Sequence, residues 1–165
     1  MVRDGVNVVK VYASGSFVQG GKIRSQLSEE ELKTVVAEAH KIGIRVAAHA
    51  YGEETIAAAV DCGVGSIEHG IVLTEGLCDL MPKKGIYCVP TLSAFAEFCM
   101  EKSQIRRELF ERHLKTYMKL ALRTGIIQIA GTDFAGVDTE RHGQNYFELM
   151  HLAKCTPIYA EISHV

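Results

Sequence analysis

Two histidines at the ends of predicted strands are the residues best placed to carry out chemistry. His49 follows the short apolar segment 44–48, and His69 follows the segment 66–68. In a parallel α/β barrel the C-terminal ends of the strands meet at one rim, so we expect the two imidazoles to lie close together. Neutral imidazole is the commonest metal ligand, and two of them predict a metal site, whereas a single histidine at a strand end is more often a hydrogen-bonded structural residue.

A lysine and an aspartate occupy comparable positions. Lys10 lies near the C-terminal end of the β-branched segment 6–12, and Asp133 ends the mostly apolar segment 126–133. Because lysine is almost never fully buried without a partner, Lys10 either extends its ammonium group to the rim or takes part in the chemistry there. All four polar side chains are therefore expected at the same end of the sheet.

The elements that would position these residues alternate strictly between strand and helix patterns. Strands are predicted at residues 6–12, 44–48, 66–68, 86–92 and 126–133, and helices at residues 28–42, 53–62, 74–84, 103–124 and 145–154. The first helix opens with a capping box from Ser28 to Glu31, and Gly63 is typical of the glycines that end the helices. Strict alternation predicts a parallel sheet, in either a barrel or a doubly wound arrangement.

Other segments have alternative interpretations. The glycine-containing loop 13–27 is longer than an ordinary βα connection and is typical of a substrate-binding loop, but it contains no phosphate-binding signature. The aromatic-containing stretch 93–102 predicts either a lid over a pocket or, more readily, amphipathic packing. His40 is expected to complement the dipole at the end of its helix, and His113, on the charged helix 103–124, receives no functional assignment.

Length and composition limit the class of protein. The chain has 165 residues, 47% of them hydrophobic and 23% charged, with a formal net charge of −2. This length suits one globular domain, and the charge offers no basic field for nucleic acid, so a small-molecule substrate is the predicted partner. No apolar run is long enough to span a membrane, and the N-terminus lacks a signal peptide's apolar region, although a leader on a longer parent stays open. The five cysteines form no C-x-x-C pair, which predicts reduced thiols in a cytoplasmic protein.

Five short phrases in fixed order carry a resemblance to a known family. They are VKVYASG at 9–15, AHAYG at 48–52, SIEHG at 66–70, VPTL at 89–92 and GTD at 131–133. Together they resemble the metal-dependent amidohydrolase superfamily, and most closely its branch of imidazolonepropionase-like enzymes and Xaa-Pro dipeptidases (prolidases). The resemblance implies a (β/α)₈ barrel that carries one or two divalent metals, usually zinc.

The resemblance also implies roles for particular residues. Lys10 would be a lysine carboxylated by CO₂ that bridges the two metals, and His49 and His69 would bind the second metal. Asp133 would bind the first metal and act as the general base for the attacking water. Tyr51 and His142 lie on predicted rim loops, where they would contact a substrate carboxylate or leaving group, or simply pack.

One departure from the family pattern limits this interpretation. The family's first strand ends in a His-x-His pair, and no such pair occurs in the sequence. The chain, residues 1–165, therefore resembles the C-terminal portion of the barrel, about strands four to eight with their helices. It would be part of a longer enzyme, or pair with another copy, or be an inactive remnant. An open half-barrel exposes strand edges and an apolar face, which predicts self-association.

These considerations lead to one leading hypothesis and three alternatives. The resemblance implies a metal-dependent hydrolase that acts on carbon–nitrogen bonds of amides, cyclic amides or dipeptides through a metal-activated water. A catalytically inactive fragment of such a barrel and a deaminase of the same superfamily are alternatives. A nucleotide-binding doubly wound protein is disfavoured, because no glycine-rich fingerprint follows the first strand.

Overall fold

A four-stranded parallel sheet forms the centre of the protein. A computed structural model describes residues 5–15, 23–100, 104, 107–108, 111–117, 125–134 and 143–155. The strands are β1 (Val8–Tyr12), β2 (Arg45–Ala50), β3 (Ser66–His69) and β4 (Tyr87–Val89). Each strand pairs in parallel with the next one along the chain, in the order β1-β2-β3-β4. This order is that of a barrel wall, because a doubly wound sheet reverses its strand order at a switch point.

Helices follow the strands in the described part of the chain. They are α1 (Glu29–Lys41), α2 (Glu53–Cys62), α3 (Glu75–Lys83), α4 (Leu92–Met100), the helical residues 111–117, here called α5, and α6 (Tyr146–Lys154). The predicted capping box is confirmed, since Ser28 Oγ accepts from the Glu31 N–H and the Glu31 carboxylate accepts from the Ser28 N–H. None of the helices described is long and apolar enough to cross a membrane.

The two faces of the sheet have opposite environments. Val46 and Ala48 of β2 and Ile67 of β3 are fully buried under the helices, in a cluster with residues such as Ile56 of α2. Burying one such aliphatic side chain stabilises the fold by roughly 1.5–3 kcal/mol. The other face is open at its edge, where Tyr12 of β1 is 61% exposed. In a closed barrel this open face would line the interior, with the functional rim at its C-terminal edge.

The fifth predicted strand is reduced to a single bridge among the described residues. Cys88 of β4 pairs in parallel with Gln128, and its N–H and carbonyl bond to Ile127 and Ile129 at 2.9 and 2.8 Å. The pairing is short because β4 ends at Pro90, which has no N–H to donate. Beyond the bridge the two segments come very close, since a Cβ added at Gly131 would lie 2.7 Å from a Val89 methyl group.

Two other segments differ in detail from the prediction. The stretch 93–102, for which the sequence predicts either amphipathic packing or a lid, overlaps helix α4, which spans Leu92–Met100. Its Phe95 is 5% exposed and packs with Tyr51 and Ile71, which supports the packing interpretation. In α5 the charged residues Glu111 and Arg112 are exposed as predicted, but His113 points inward and is fully buried.

Candidate active site at the strand ends

His49 is held at the end of β2 by contacts with the loop that follows β1. Its carbonyl accepts hydrogen bonds from the N–H groups of Ala13 and Ser14 at 3.0 and 3.2 Å. The Ser14 hydroxyl in turn accepts from the Tyr51 N–H at 3.0 Å. The His49 side chain is 6% exposed, and its Nε2 atom has no hydrogen-bond partner among the residues that the structure describes. A buried nitrogen without a partner is costly, so this atom is suited to a ligand.

The two imidazoles lie side by side, as the strand-end argument predicted. The ring centroids of His49 and His69 are 4.5 Å apart. Tyr51 packs against both, at 4.3 Å from His49 and 4.9 Å from His69. Tyr12 lies 4.8 Å from His49 on the exposed side, and Phe95 lies 5.8 Å from His69 on the buried side. The histidines are therefore enclosed by aromatic rings that fix their planes.

His69 is oriented by a residue from the end of the next strand. Its Nδ1 atom lies 2.8 Å from the Thr91 hydroxyl, and both residues are 2% exposed. A hydrogen bond at one ring nitrogen fixes the tautomer and directs the other nitrogen, as happens in histidines that bind metals. The Nε2 atom of His69 faces Asp133, with 4.0 Å between Nε2 and Oδ2.

The backbone is strained at three consecutive strand ends. His69, Thr91 and Asp133 have φ angles of 71°, 51° and 52°, in the left-handed region that residues with a side chain seldom adopt. Each such residue costs about 1 kcal/mol or more, and such strain persists where surrounding contacts hold it and clusters at functional sites. All three residues belong to the same constellation, which supports a functional interpretation of this rim.

Burial keeps both imidazoles neutral. Desolvation, followed by the charge of Lys10, lowers the pKa of His49 to about 4. Desolvation also lowers the pKa of His69 to about 2, with smaller contributions from His49, Lys10 and His113. Partial burial raises the pKa of the Asp133 carboxyl, and the positive charge of Lys10 opposes the rise. At neutral pH the site thus offers two imidazole lone pairs, the form that binds metals.

Lys10 lies on the open face of the sheet, in an ion pair with Glu68. Its Nζ atom is 3.5 Å from Glu68 Oε2, and the other carboxylate oxygen of Glu68 accepts from the Ser66 hydroxyl at 2.6 Å. The Lys10 side chain is 41% exposed. Of the two interpretations of Lys10, its exposure and its ion pair fit extension of the ammonium group from the sheet towards solvent.

The types of donor atom at this site suit a divalent metal, but the donors are few. Among the residues that the structure describes, no group of three His, Cys, Asp or Glu side chains converges as metal ligands. The unpartnered Nε2 of His49 and the Nε2 of His69, with a carboxylate beside it, are nonetheless of the nitrogen and oxygen types that zinc prefers. His142, the second predicted rim residue, lies outside the described residues.

Three residues of the site received no role from the sequence. Thr91 lies in one of the quoted phrases, but nothing in its pattern predicts a contact with His69. His113 packs next to the site, where its Nε2–H donates to the Pro90 carbonyl at 3.2 Å and its ring lies 5.2 Å from that of Phe95. Glu148 of α6 is fully buried. Its signal in the sequence is a carboxylate in helical register with Leu152 and Cys155 on the inward face of the helix.

A parallel sheet with imidazoles and a carboxylate at the C-terminal ends of its strands is the architecture of part of a (β/α)₈ barrel, whose sites are built from strand ends. Residues 1–156 match the Amidohydrolase family, and the chain belongs to that family.

Individual relatives support this assignment. The chain is 35% identical over 144 residues to ochratoxinase from Aspergillus niger, and 30% identical over 150 residues to an uncharacterised protein of Mycobacterium tuberculosis. It superposes with a TM-score of 0.78 and 33% identity on the crystal structure of a Xaa-Pro dipeptidase with bound methionine in the active site. These alignments cover 81%, 86% and 93% of the chain. The same alignments span only 30%, 40% and 40% of the three relatives, so the chain is similar to part of each.

Proposed function

We propose that the chain is part of a metal-dependent hydrolase that cleaves carbon–nitrogen bonds in amides, cyclic amides or dipeptides. The observation that carries this proposal is the contact of two neutral imidazoles, His49 and His69, with Asp133 facing the second of them at 4.0 Å. Similarity to ochratoxinase and to a Xaa-Pro dipeptidase supports the amide and dipeptide bond classes.

The residues would divide the work as follows. His49 and His69 would hold a divalent metal, zinc by the type of donor, and Asp133 and a carboxylated Lys10 would complete a one- or two-metal site. When bound, such a metal supplies a water of lowered pKa and polarises the carbonyl of the substrate. Lys10 must leave its ion pair with Glu68 before CO₂ can react with the neutral amine.

Asp133 would act as the general base that accepts a proton from the attacking water. Partial desolvation raises the pKa of its carboxyl, which favours proton acceptance, and its exposed side chain would be accessible to water and to a leaving nitrogen. Tyr51 and His142 would bind the substrate, Tyr51 from the wall that it forms against both imidazoles.

The chain would act as the C-terminal portion of a barrel whose other strands carry the His-x-His pair. The span of 30–40% of the relatives' length and the unpaired outer edge of β1 in the described sheet support this proposal. The same edge favours a second candidate, a fragment inactive alone that associates with itself or with a complementary chain. A cytoplasmic location and a small-molecule substrate belong to the same proposal, and a deaminase of the family is the alternative reaction.

Metal content decides between the candidates. We expect about one zinc or more per purified chain by elemental analysis, with the oligomeric state read by size-exclusion chromatography. The His49→Ala/His69→Ala double variant should lose the metal, and His40→Ala, an exposed histidine in the last turn of α1, should keep it. Chains with metal are then assayed against dipeptide and amide libraries. A monodisperse wild type without metal would exclude a working enzyme formed by this chain alone and would leave it as part of a longer enzyme or as an inactive fragment.

A further inference from the structure

Glu148 reaches from α6 into the start of α4. One carboxylate oxygen accepts from the Leu92 N–H at 2.9 Å and the other from the Ser93 N–H at 2.7 Å. The side chain is fully buried. The first N–H groups of a helix have no partner within the helix, so Glu148 acts as a cap supplied from another part of the chain.

A buried carboxylate is an expensive cap. Burial raises the pKa of Glu148, and its hydrogen bonds to Ser93 and Leu92 lower it again. Thr91, the buried residue before α4, directs its hydroxyl to His69, so the first N–H groups of α4 take their acceptors from Glu148 instead. The position of Glu148 therefore calls for an explanation beyond helix stability.

The capped residues lie directly after the residue that orients His69. Thr91 precedes Leu92 and is held at a φ of 51°, and its hydroxyl contacts His69 Nδ1 at 2.8 Å. Fixing the N–H groups of residues 92 and 93 fixes the plane of the Thr91–Leu92 peptide. That plane contains the Cα of Thr91, from which the side chain that contacts His69 projects.

Helix α6 also contacts the segment that carries Asp133. Asn145, the N-cap residue of α6, accepts a hydrogen bond from the Thr132 hydroxyl at 3.3 Å, and Thr132 precedes Asp133. One turn of α6 thus contacts the residues next to both Thr91 and Asp133. These two strand ends flank the 4.0 Å gap between His69 and Asp133.

We propose that Glu148 is a positioning residue that orients His69 through Leu92 and Thr91, and that Asn145 does the same for Asp133 through Thr132. Helix α6 thereby sets the spacing of the two sides of the site. The effect on metal binding rests on the proposed function, whereas the effect on the His69 ring does not.

The experiment compares Glu148→Gln with a matched control, Glu31→Gln. Glu31 also accepts a backbone N–H at a helix start, from Ser28 at 2.8 Å, but α1 contributes no residue to the rim. The ring nitrogens of His69 are followed by ¹⁵N NMR on the metal-free 165-residue chain, and Zn²⁺ affinity is measured by calorimetry. Far-UV circular dichroism checks that each variant folds.

We expect two widely separated His69 nitrogen signals in the wild type and in Glu31→Gln, as for one fixed tautomer. In Glu148→Gln the signals should move towards each other, and Zn²⁺ affinity should fall about 10-fold, as for other groups that orient a ligand. A folded Glu148→Gln with wild-type His69 signals overturns the proposal. A wild type that binds no Zn²⁺ overturns metal binding by this chain alone, while the His69 signals still test Glu148.

Asn145 gives a second and independent variant if Glu148→Gln does not fold. Its contact with Thr132 is exposed, so Asn145→Ala should keep the fold. We expect Asn145→Ala to weaken Zn²⁺ binding about threefold, which corresponds to part of one hydrogen bond, and Asn145→Asp, which keeps the acceptor oxygen, to restore it. Equal affinity in Asn145→Ala and the wild type would overturn the role of α6.

Discussion

The Nε2 atom of His69 lies 4.0 Å from Oδ2 of Asp133, so a buried neutral imidazole faces an exposed carboxylate across a gap too long for a direct hydrogen bond. Neither group satisfies the other. The gap could therefore accommodate a third group, such as a metal ion or a water molecule, between the two side chains.

Asp133→Asn should remove the proton acceptor and leave its shape unchanged. If Asp133 is the general base of an assembled enzyme, we expect hydrolysis to fall by about 10²- to 10⁴-fold, because an amide cannot accept the proton. The measurement is kcat/KM on whichever amide or dipeptide the wild type cleaves. Asp79→Asn, an exposed aspartate on α3, is the matched control and should keep full activity. Similar rates in Asp133→Asn and the wild type would exclude this role.

Thr91→Val should loosen His69 without changing backbone strain, because both residues are β-branched and equally disfavoured at a φ of 51°. Losing the hydroxyl next to His69 Nδ1 should weaken Zn²⁺ binding about 10-fold. Thr34→Val, whose hydroxyl bonds only to the exposed Glu30 carbonyl of α1, controls for the substitution itself. Calorimetric titration with Zn²⁺ measures both, and equal affinities would contradict the prediction.

Acid should destabilise the fold through its buried histidines. Burial lowers the pKa of His113 to about 4 from an ordinary 6.5, although hydrogen bonds to the carbonyls of Pro90 and Ile71 raise it in part. As the pH falls through 6.5 the unfolded chain binds a proton that the folded chain does not, so stability is full above 6.5 and is lost towards pH 4. For His113 alone we expect a loss of about 2 kcal/mol between pH 7 and pH 5.

Urea unfolding at pH 7 and pH 5 measures this loss. His113→Gln, which cannot titrate, should be less stable than the wild type at pH 7 but should lose less on acidification. An equal loss in both proteins would show that His113 does not titrate in this range.

Two glycines should respond to alanine in opposite directions. Gly63 ends α2 in the left-handed region at a φ of 78°, so Gly63→Ala should destabilise the fold by about 1 kcal/mol. Gly76 lies within α3, where an added Cβ meets nothing within 4 Å, so Gly76→Ala should stabilise it by about 0.5 kcal/mol. Thermal unfolding of the two variants should place the wild type between them.

Local signals predicted most of the fold. The capping box at Ser28 and the left-handed Gly63 are short-range devices, so α1 and α2 begin and end where the sequence indicates. Residues 126–133 had the composition of a strand, but pairing depends on the partner, and β4 offers three residues before Pro90 ends it. A strand prediction from one segment cannot include the length of its neighbour.

The sequence predicted only those residues of the candidate site that lie at the C-terminal ends of predicted strands. His49 follows a mostly apolar segment and His69 follows the short segment 66–68, and the rule that the ends of parallel strands converge was enough to predict that the two histidines lie close together. The contacts of Thr91 with His69 and of Glu148 with Leu92 join residues far apart in the chain, and no local pattern encodes them. His113 is buried because α5 turns that face inward, which charge alternation on its other face does not reveal.

The bare Cα of Gly131 makes the geometry of the site adjustable. An added Cβ would lie 2.7 Å from Val89, so the segment that carries Asp133 rests against β4 with room only for hydrogen. A single methyl group at this point would force either Val89 or the segment of Asp133 to shift, and would so change the distance between Asp133 and His69 without replacing either side chain. Alanine, serine and valine at position 131 would thus form a series of increasing side-chain size, in which reactivity could be compared with the distance between His69 and Asp133.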